Sequence, residues 1–97
     1  MKISIITISF NSAKTIEATL NSVLNQTHKN IQHIIIDGNS SDQSVQICKK
    51  FPHVSKIISE EDSGVYNAFN KGLEIANGDV VGFLNSDDTF YNNNSLQ

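Results

Sequence analysis

Hydrophobic and polar positions along the chain alternate between a strand-like and a helix-like period. Ile3-Ser4-Ile5-Ile6-Thr7-Ile8 is a short β-branched run that reads as a mostly buried strand. Ser9-Phe10-Asn11-Ser12 breaks the run, with Ser12 placed to cap a helix. Ile16, Leu20, Val23 and Leu24 then recur at i, i+4, i+7 and i+8, the stripe of an amphipathic helix. After the polar turn from Asn25 to Asn30, Ile31 to Ile36 reads as a second strand ending at Asp37-Gly38. Ser40 and Gln43 make the S-x-x-Q pattern of a capping box, which opens a short helix to about Lys50 with Val45, Cys48 and Phe51 facing inward. Pro52 stops that helix, and Val54 to Ser59 is a third, weaker strand.

A second strong helical stripe follows at Val65, Ala68, Phe69, Gly72 and Ala76. Gly72 within it predicts a close approach of helix to sheet, and Asn77-Gly78 predicts a left-handed cap. Asp79 to Leu84 is a fourth strand that runs into Asn85-Ser86-Asp87-Asp88. Asn94 to Leu96 reads as the cap and first turn of one more helix, so the chain is expected to continue beyond Gln97. The alternation of strands and helices with short connections predicts an α/β fold, one domain over residues 1–97, with a parallel sheet of about four strands and helices on both faces. Ligands in such sheets sit outside the carboxyl ends of the strands. The segments to read for chemistry are therefore Ser9 to Ser12, Asp37 to Asp42, Glu60 to Gly64 and Asn85 to Asp88.

Composition narrows the function. The 97 residues carry 7 cationic side chains, all lysine, against 10 acids, for a net charge of −3. With no arginine and an acidic balance, a nucleic-acid partner is excluded. No stretch approaches the ~18 apolar residues of a membrane span, and one cysteine, Cys48, cannot form an intrachain disulfide. The expected setting is the reduced cytoplasm. The turn after the first strand lacks glycine, so the G-x-G-x-x-G dinucleotide fingerprint and the P-loop are both absent. His28, His33 and His53 show no ligand-like spacing, and no metal site is assigned to them.

Asp87 and Asp88 directly follow an apolar strand, and adjacent carboxylates there repel unless donors or a cation compensate. A hard divalent ion shared with a diphosphate would do so, and a solvated turn reads equally well. Asp37 fits either a ribose or base contact or an Asx-turn. Tyr66, Asn70 and Glu74, with Lys71 beside them, line the polar side of the third helix, after Asp62-Ser63-Gly64.

Together these segments resemble the family 2 glycosyltransferases of bacterial polysaccharide synthesis. The opening strand with its Ser9-Phe10-Asn11 turn, Ser22-Val23-Leu24-Asn25-Gln26-Thr27, and Asp37-Gly38-Asn39-Ser40-Ser41-Asp42 each look like a family motif. So do Asp62-Ser63-Gly64-Val65-Tyr66-Asn67-Ala68-Phe69-Asn70-Lys71-Gly72 and Asn85-Ser86-Asp87-Asp88, the last in the place of D-x-D. The resemblance implies the Rossmann-like half of a GT-A fold that stops after the D-x-D-like segment, and a nucleotide-sugar donor, above all a UDP-sugar. It implies that Thr7, Ser9, Asn11, Asp37, Gly64, Asn70, Lys71 and Asp87 contact that donor, and that Asp87 and Asp88 hold Mn²⁺ or Mg²⁺. It further implies inverting transfer to a glycan or lipid-linked acceptor, at or near the inner membrane. The catalytic base is expected beyond Gln97, so that the 97 residues alone are inactive and self-associate through the uncovered fourth-strand edge.

Two departures stand out: Gly38 where many relatives have a second acid, and Asn85 where D-x-D has its first. A non-catalytic nucleotide-binding α/β domain is the alternative. A response-regulator receiver would need its acidic pair after the first strand, and a sugar-phosphate nucleotidyltransferase would need a Gly-rich basic loop there.

Overall fold

The β-branched runs pair side by side into one parallel sheet. The chain, described here by a computed structural model over residues 1–27, 29–61 and 64–86, follows the order β1 (Ile3–Ser9), α1 (Ile16–Leu24), β2 (Ile31–Asp37), α2 (Ser44–Lys49), β3 (Val54–Ser59), α3 (Val65–Ile75) and β4 (Val80–Phe83). The sheet order is β3-β2-β1-β4. β1 pairs with β2 in register from Ile3↔Ile31 to Ser9↔Asp37, and with β4 from Ile3↔Val80 to Ile6↔Phe83. The chain starts at the centre and winds outward both ways, which puts the β1/β4 boundary where the strand order reverses.

Alternation along the central strands sends side chains to two unlike cores. On one face Ile6, Ile34 and Ile36 pack with Ala68 of α3, joined at the margin by Ile8, Ile58 and Phe69. On the other, Ile35 packs with Ile16 and Leu20 of α1 and Cys48 of α2, while Ile3 and Ile5 pack with Val23. Gly72 explains how α3 comes so close to the sheet. A Cβ built there would lie 2.6 Å from Ile6 Cγ2 and 2.9 Å from its Cδ1, so only a missing side chain fits. That is the close approach the helical stripe predicts.

The helix ends differ from expectation. α1 begins at Ile16 with Thr15 as its flanking residue, not at Ser12, and no side chain caps it. Ser12 supplies its carbonyl to the Thr15 and Ile16 N–H groups and sends its hydroxyl elsewhere. α2 likewise starts at Ser44 without a capping box, because the Ser40 hydroxyl is drawn to Asp37. Thr19 occupies the buried stripe of α1 with Leu20 and Val23, leaving Leu24 exposed. Ile47, one turn before Phe51, packs with Cys48 on the core, where Val45 was expected.

Gly78 is not a left-handed cap, since α3 ends in extended backbone at Ala76 and Gly64 is the glycine with positive φ. What Gly78 allows is a near-contact with β1: a Cβ there would sit 2.7 Å from Ser4 N and 2.9 Å from Lys2 O. Ser4 Oγ accepts the Gly78 N–H at 2.8 Å, and Gln32 Oε1 accepts the Asn77 N–H at 2.9 Å, which fastens the α3–β4 turn beneath the sheet. The helix expected from Asn94 lies outside the described residues. None of the described helices is long and apolar enough to cross a membrane.

Candidate functional site

At the carboxyl ends of β1 and β2 two loops are clasped together by short polar side chains. Three successive backbone N–H groups of the β1–α1 loop are each taken by the β2–α2 loop. Asn11 N–H donates to Ser40 Oγ at 2.8 Å, Ser12 N–H to Ser44 Oγ at 2.8 Å, and Ala13 N–H to Asp42 Oδ2 at 3.1 Å. In return Asn11 Oδ1 accepts the Ser41 N–H at 2.8 Å. Asn11 and Asn39 sit at φ 47° and 65°, the left-handed region that asparagine tolerates better than most side chains. The Ser- and Asp-rich run after β2 is therefore a clasp, and it satisfies donors that would otherwise approach α1 unpaired.

Asp37 lies under this clasp. It is fully buried, with Oδ2 accepting the Ser40 N–H at 2.8 Å and the Ser59 hydroxyl at 2.9 Å, while the Ser40 hydroxyl donates to Oδ1. The Asx-turn reading is thus present in the structure, extended by a serine from β3. The Ser44 hydroxyl holds the Asp42 carboxyl below the usual carboxylate range, and the Ser44 and Ala13 N–H groups add to the effect against some desolvation. Burial pushes the nearby Cys48 thiol up to about 11, with the Asp37 charge second.

Two cavities flank Phe10, which is 62% exposed and lines both. One, of about 860 Å³, runs between Ser12, Lys14 and Asp42 on one side and Asn85 and Ser86 on the other. The second, of about 540 Å³, is bounded by Ser9, Gly38, Asn39, Glu61 and Gly64. Gly64 adopts φ 116° at the start of α3, a conformation a side chain would strain. Ser9 is among the residues that line this second cavity. Its hydroxyl is buried and finds no partner among the described residues, a costly state for a group that can both donate and accept.

The expected donor contacts divide under this geometry. Ser9 and Gly64 line the smaller cavity and Asn11 the larger, whereas Asp37 is sealed beneath them. Thr7 lies deeper in the sheet, its hydroxyl 2.8 Å from His33 Nε2, and does not line either cavity. Lys71 turns to the β3–α3 loop, 3.1 Å from the Glu60 carboxylate and 3.2 Å from the Glu61 carbonyl, and Asn70 is exposed on α3. Neither lines the cavities, although Glu61, whose carbonyl Lys71 holds, lines the second. Asp62, Ser63, Asp87 and Asp88 lie outside the described residues, as does the side chain of Tyr66. Among the described residues no cluster of His, Cys, Asp or Glu is able to hold a metal ion.

Sequence spacing missed several members. Phe10 was legible as an apolar residue stranded in a polar break. Asp42 and Ser86 fell within segments marked for chemistry without a role, and Ser44 and Thr19 carried no signal, since the partners of these residues are 29 to 74 positions away. Two of the histidines come together although their spacing gave no sign of it. His33 is inside β2, and its Nδ1 lies 3.2 Å from His53 Nε2, burial and the His53 charge pulling its pKa down to about 3.

The sequence profile of glycosyl transferase family 2 matches residues 4–97. TuaG of Bacillus subtilis, whose description assigns it to teichuronic acid biosynthesis, is 41% identical over 90 residues, covering 89% of this chain and 36% of TuaG. Staphylococcus aureus TarS, solved as residues 1–349 with UDP-GlcNAc, superposes with TM-score 0.85 at 32% identity over 92% of this chain and 27% of that one. A Pyrobaculum calidifontis mannosyltransferase solved with GDP-Man and Mn²⁺ shares the fold, with TM-score 0.87 at 21% identity over 95% of this chain and 29% of that one. The chain thus spans about a third, or less, of each of these three proteins.

Proposed function

The chain belongs to glycosyl transferase family 2, and from that premise we propose that it binds the nucleoside diphosphate of a nucleotide-sugar donor for a glycosyltransferase of cell-surface polysaccharide synthesis. The observation that carries this reading is the buried, unpartnered hydroxyl of Ser9, a residue that lines a cavity of about 540 Å³ at the carboxyl end of the central strand. That volume is within the usual ligand range, and the site sits where parallel sheets take their ligands. The exposed Phe10 ring offers a face on which a base stacks, and Ser9 supplies a hydrogen bond to the base or ribose. Asp37 takes a base N–H when the ligand displaces the Ser40 hydroxyl. Gly64 lets the backbone come close to the donor, and Asn11 holds the loop under its phosphates.

Asp87 and Asp88 are the residues that would hold Mn²⁺ or Mg²⁺, and the fit rests on the donor set, two adjacent carboxylates of hard oxygen. Such an ion, when bound, supplies positive charge against the leaving diphosphate. This chain's own part is to orient the donor so that one face of its sugar stays open to an acceptor hydroxyl, giving inversion. A glycan or lipid-linked acceptor and a base to deprotonate it belong to the remaining two thirds of proteins of this size. Solved relatives bound to UDP-GlcNAc and to GDP-Man with Mn²⁺ support the ligand class. The free buried Cys48 accords with a cytoplasmic setting.

The test is calorimetric titration of UDP and GDP into the chain, with Mn²⁺ or with EDTA. UDP is expected to bind in Mn²⁺ and to lose affinity in EDTA, and Asp88→Asn to remove that difference. Ser9→Ala should weaken binding about fivefold or more, through loss of a hydrogen bond worth ~1 kcal/mol. Equal affinity in EDTA sinks the metal assignment. No binding of either nucleotide sinks the donor reading.

A further inference from the structure

The two cavities beside Phe10 differ in charge. Among the described residues, Glu61 is the charged side chain that lines the smaller, and Lys14 and Asp42 are those that line the larger. Asp42 is committed to the clasp. Its Oδ2 accepts the Ala13 N–H at 3.1 Å, and its Oδ1 accepts both the N–H and the hydroxyl of Ser44. Lys14 is exposed, and its ammonium has no hydrogen bond or ion pair among the described residues. Lys71, which meets the wall of the smaller cavity through Glu61, is paired instead, with the Glu60 carboxylate and the Glu61 carbonyl. The chain carries 10 acids against 7 lysines, so a lysine left without a carboxylate in a cavity wall does not reflect a shortage of partners.

The backbone that carries Lys14 is fixed on both sides. Before it, the Ala13 N–H is held by Asp42, and after it the Thr15 and Ile16 N–H groups donate to the Ser12 carbonyl at 3.0 and 2.8 Å. An unpaired ammonium thus stands on a fixed turn, in a lining that it shares with the amides of Asn11 and Asn85. An ammonium is a point charge suited to phosphate oxygens, and hydrogen bonds between ionised groups are among the strong ones. The smaller cavity has the reverse character. The Glu61 carboxylate is in no ion pair among the described residues, so it repels an anion and offers an acceptor to the N–H and O–H groups of a neutral nucleoside. We propose that Lys14 is a phosphate-binding residue, whose ammonium takes the donor's diphosphate in the larger cavity while the nucleoside occupies the smaller one beside Glu61. The proposal rests on the donor reading above, and it adds a residue that none of the chain's motifs marked. A cation fixed in the chain contributes to diphosphate affinity whether or not a metal ion is present.

The experiment titrates uridine, UMP and UDP into the chain in EDTA, where no metal ion contributes, and reads affinity by NMR of the ligand. It is run for wild type, Lys14→Gln, Lys14→Arg and Glu61→Gln. Wild type should gain affinity from uridine to UDP. Lys14→Gln should lose about tenfold in UDP affinity, the low end for a hydrogen bond between charged groups, with uridine affinity unchanged. Lys14→Arg, which keeps the charge, should retain the gain. Glu61→Gln should raise the ratio of UDP to uridine affinity by less than Lys14→Gln lowers it. A larger rise in Glu61→Gln puts the diphosphate in the smaller cavity and overturns the proposal. So does a UDP affinity unchanged in Lys14→Gln, or a loss there that is equal for uridine and UDP, since that marks a displaced loop and not a lost charge. A wild-type chain that binds uridine and UDP equally overturns it as well. Binding of neither by wild type overturns the donor reading itself, and that result appears before any variant is compared.

Discussion

The two faces of the sheet are built from the same strands and to opposite ends. Under α3, Ile6, Ile34 and Ile36 meet Ala68 and the bare backbone of Gly72. Under α1 and α2 the alternate positions of those strands carry Thr7, Ser9, His33 and Asp37, all buried, with Ile35 set among them. The first face closes chiefly by apolar contact, with Ser4 and Gln32 fastening the α3–β4 turn at its edge. The second closes by hydrogen bonds, from His53 through His33 to Thr7 and, at the carboxyl end, from Ser59 and Ser40 to Asp37. Among the described residues that series leaves two buried atoms without a partner, His53 Nδ1 at one end and Ser9 Oγ at the other, and Ser9 lines a cavity. Steric fit thus holds the fold on one side, and on the other a file of polar groups ends in a group left over for something else.

The largest effect should come from breaking the apolar face. Gly72→Leu forces a side chain into space that Ile6 fills, and should lower unfolding stability in urea by about 3 kcal/mol. Gly72→Ala should cost less and in the same direction. An unchanged midpoint would mean that α3 stands off the sheet and that the two faces are not so different.

The polar face should respond to acid. The folded-state pKa of His33 is about 3, below its unfolded value of 6.5, so between those values the unfolded chain binds more protons. The stability that His33 contributes is complete above pH 6.5 and is lost as pH falls toward 3. Between pH 7 and 5 the loss should be about 2 kcal/mol, read from urea midpoints across pH. His33→Gln should flatten that slope. A slope that survives the substitution would move the acid sensitivity to another group.

A smaller change is expected at the clasp between the loops. Ser44→Ala leaves the Ser12 N–H without its acceptor and removes a donor to Asp42, for a cost of about 1 kcal/mol. Hydrogen exchange at Ser12 and Ala13 should quicken more than at Ile35, because the break is local. The smallest effect separates polar from accessible. Cys48 is buried with its thiol pushed up to about 11, so its alkylation at pH 8 should follow global unfolding. Rapid labelling of the folded chain would show that the α1–α2 face opens.

Much of this architecture is written locally. Runs of isoleucine with period two marked β1 and β2, and the stripe through Ala68, Phe69 and Gly72 gave α3 its phase and its close approach. Local chemistry misled where a side chain had two possible partners. Ser12, Ser40 and Gly78 all match a helix-end pattern, and each is used for a contact with a distant strand or loop, Ser40 also with Asp37 three residues before it. A capping bond contributes about as much as any other hydrogen bond of its kind, so the pattern alone does not choose between partners.

The site shows the same division. That chemistry gathers after β1, β2 and β4 follows from sequence, because a parallel sheet built from alternating strands and helices presents those ends together. The motif around Asp37 was also visible there, as was the match of residues 4–97 to a glycosyltransferase family. Which members line a cavity was decided by packing. Thr7 is consumed by His33, Lys71 by Glu60, and Ser9, two residues from Thr7 on the same face, is left with an empty hydroxyl. Sequence determines which polar groups the chain owns and at which end of a strand they fall. Only the tertiary structure, by bringing residues up to 74 positions apart within hydrogen-bonding distance, decides which are already paired and which are left without a partner.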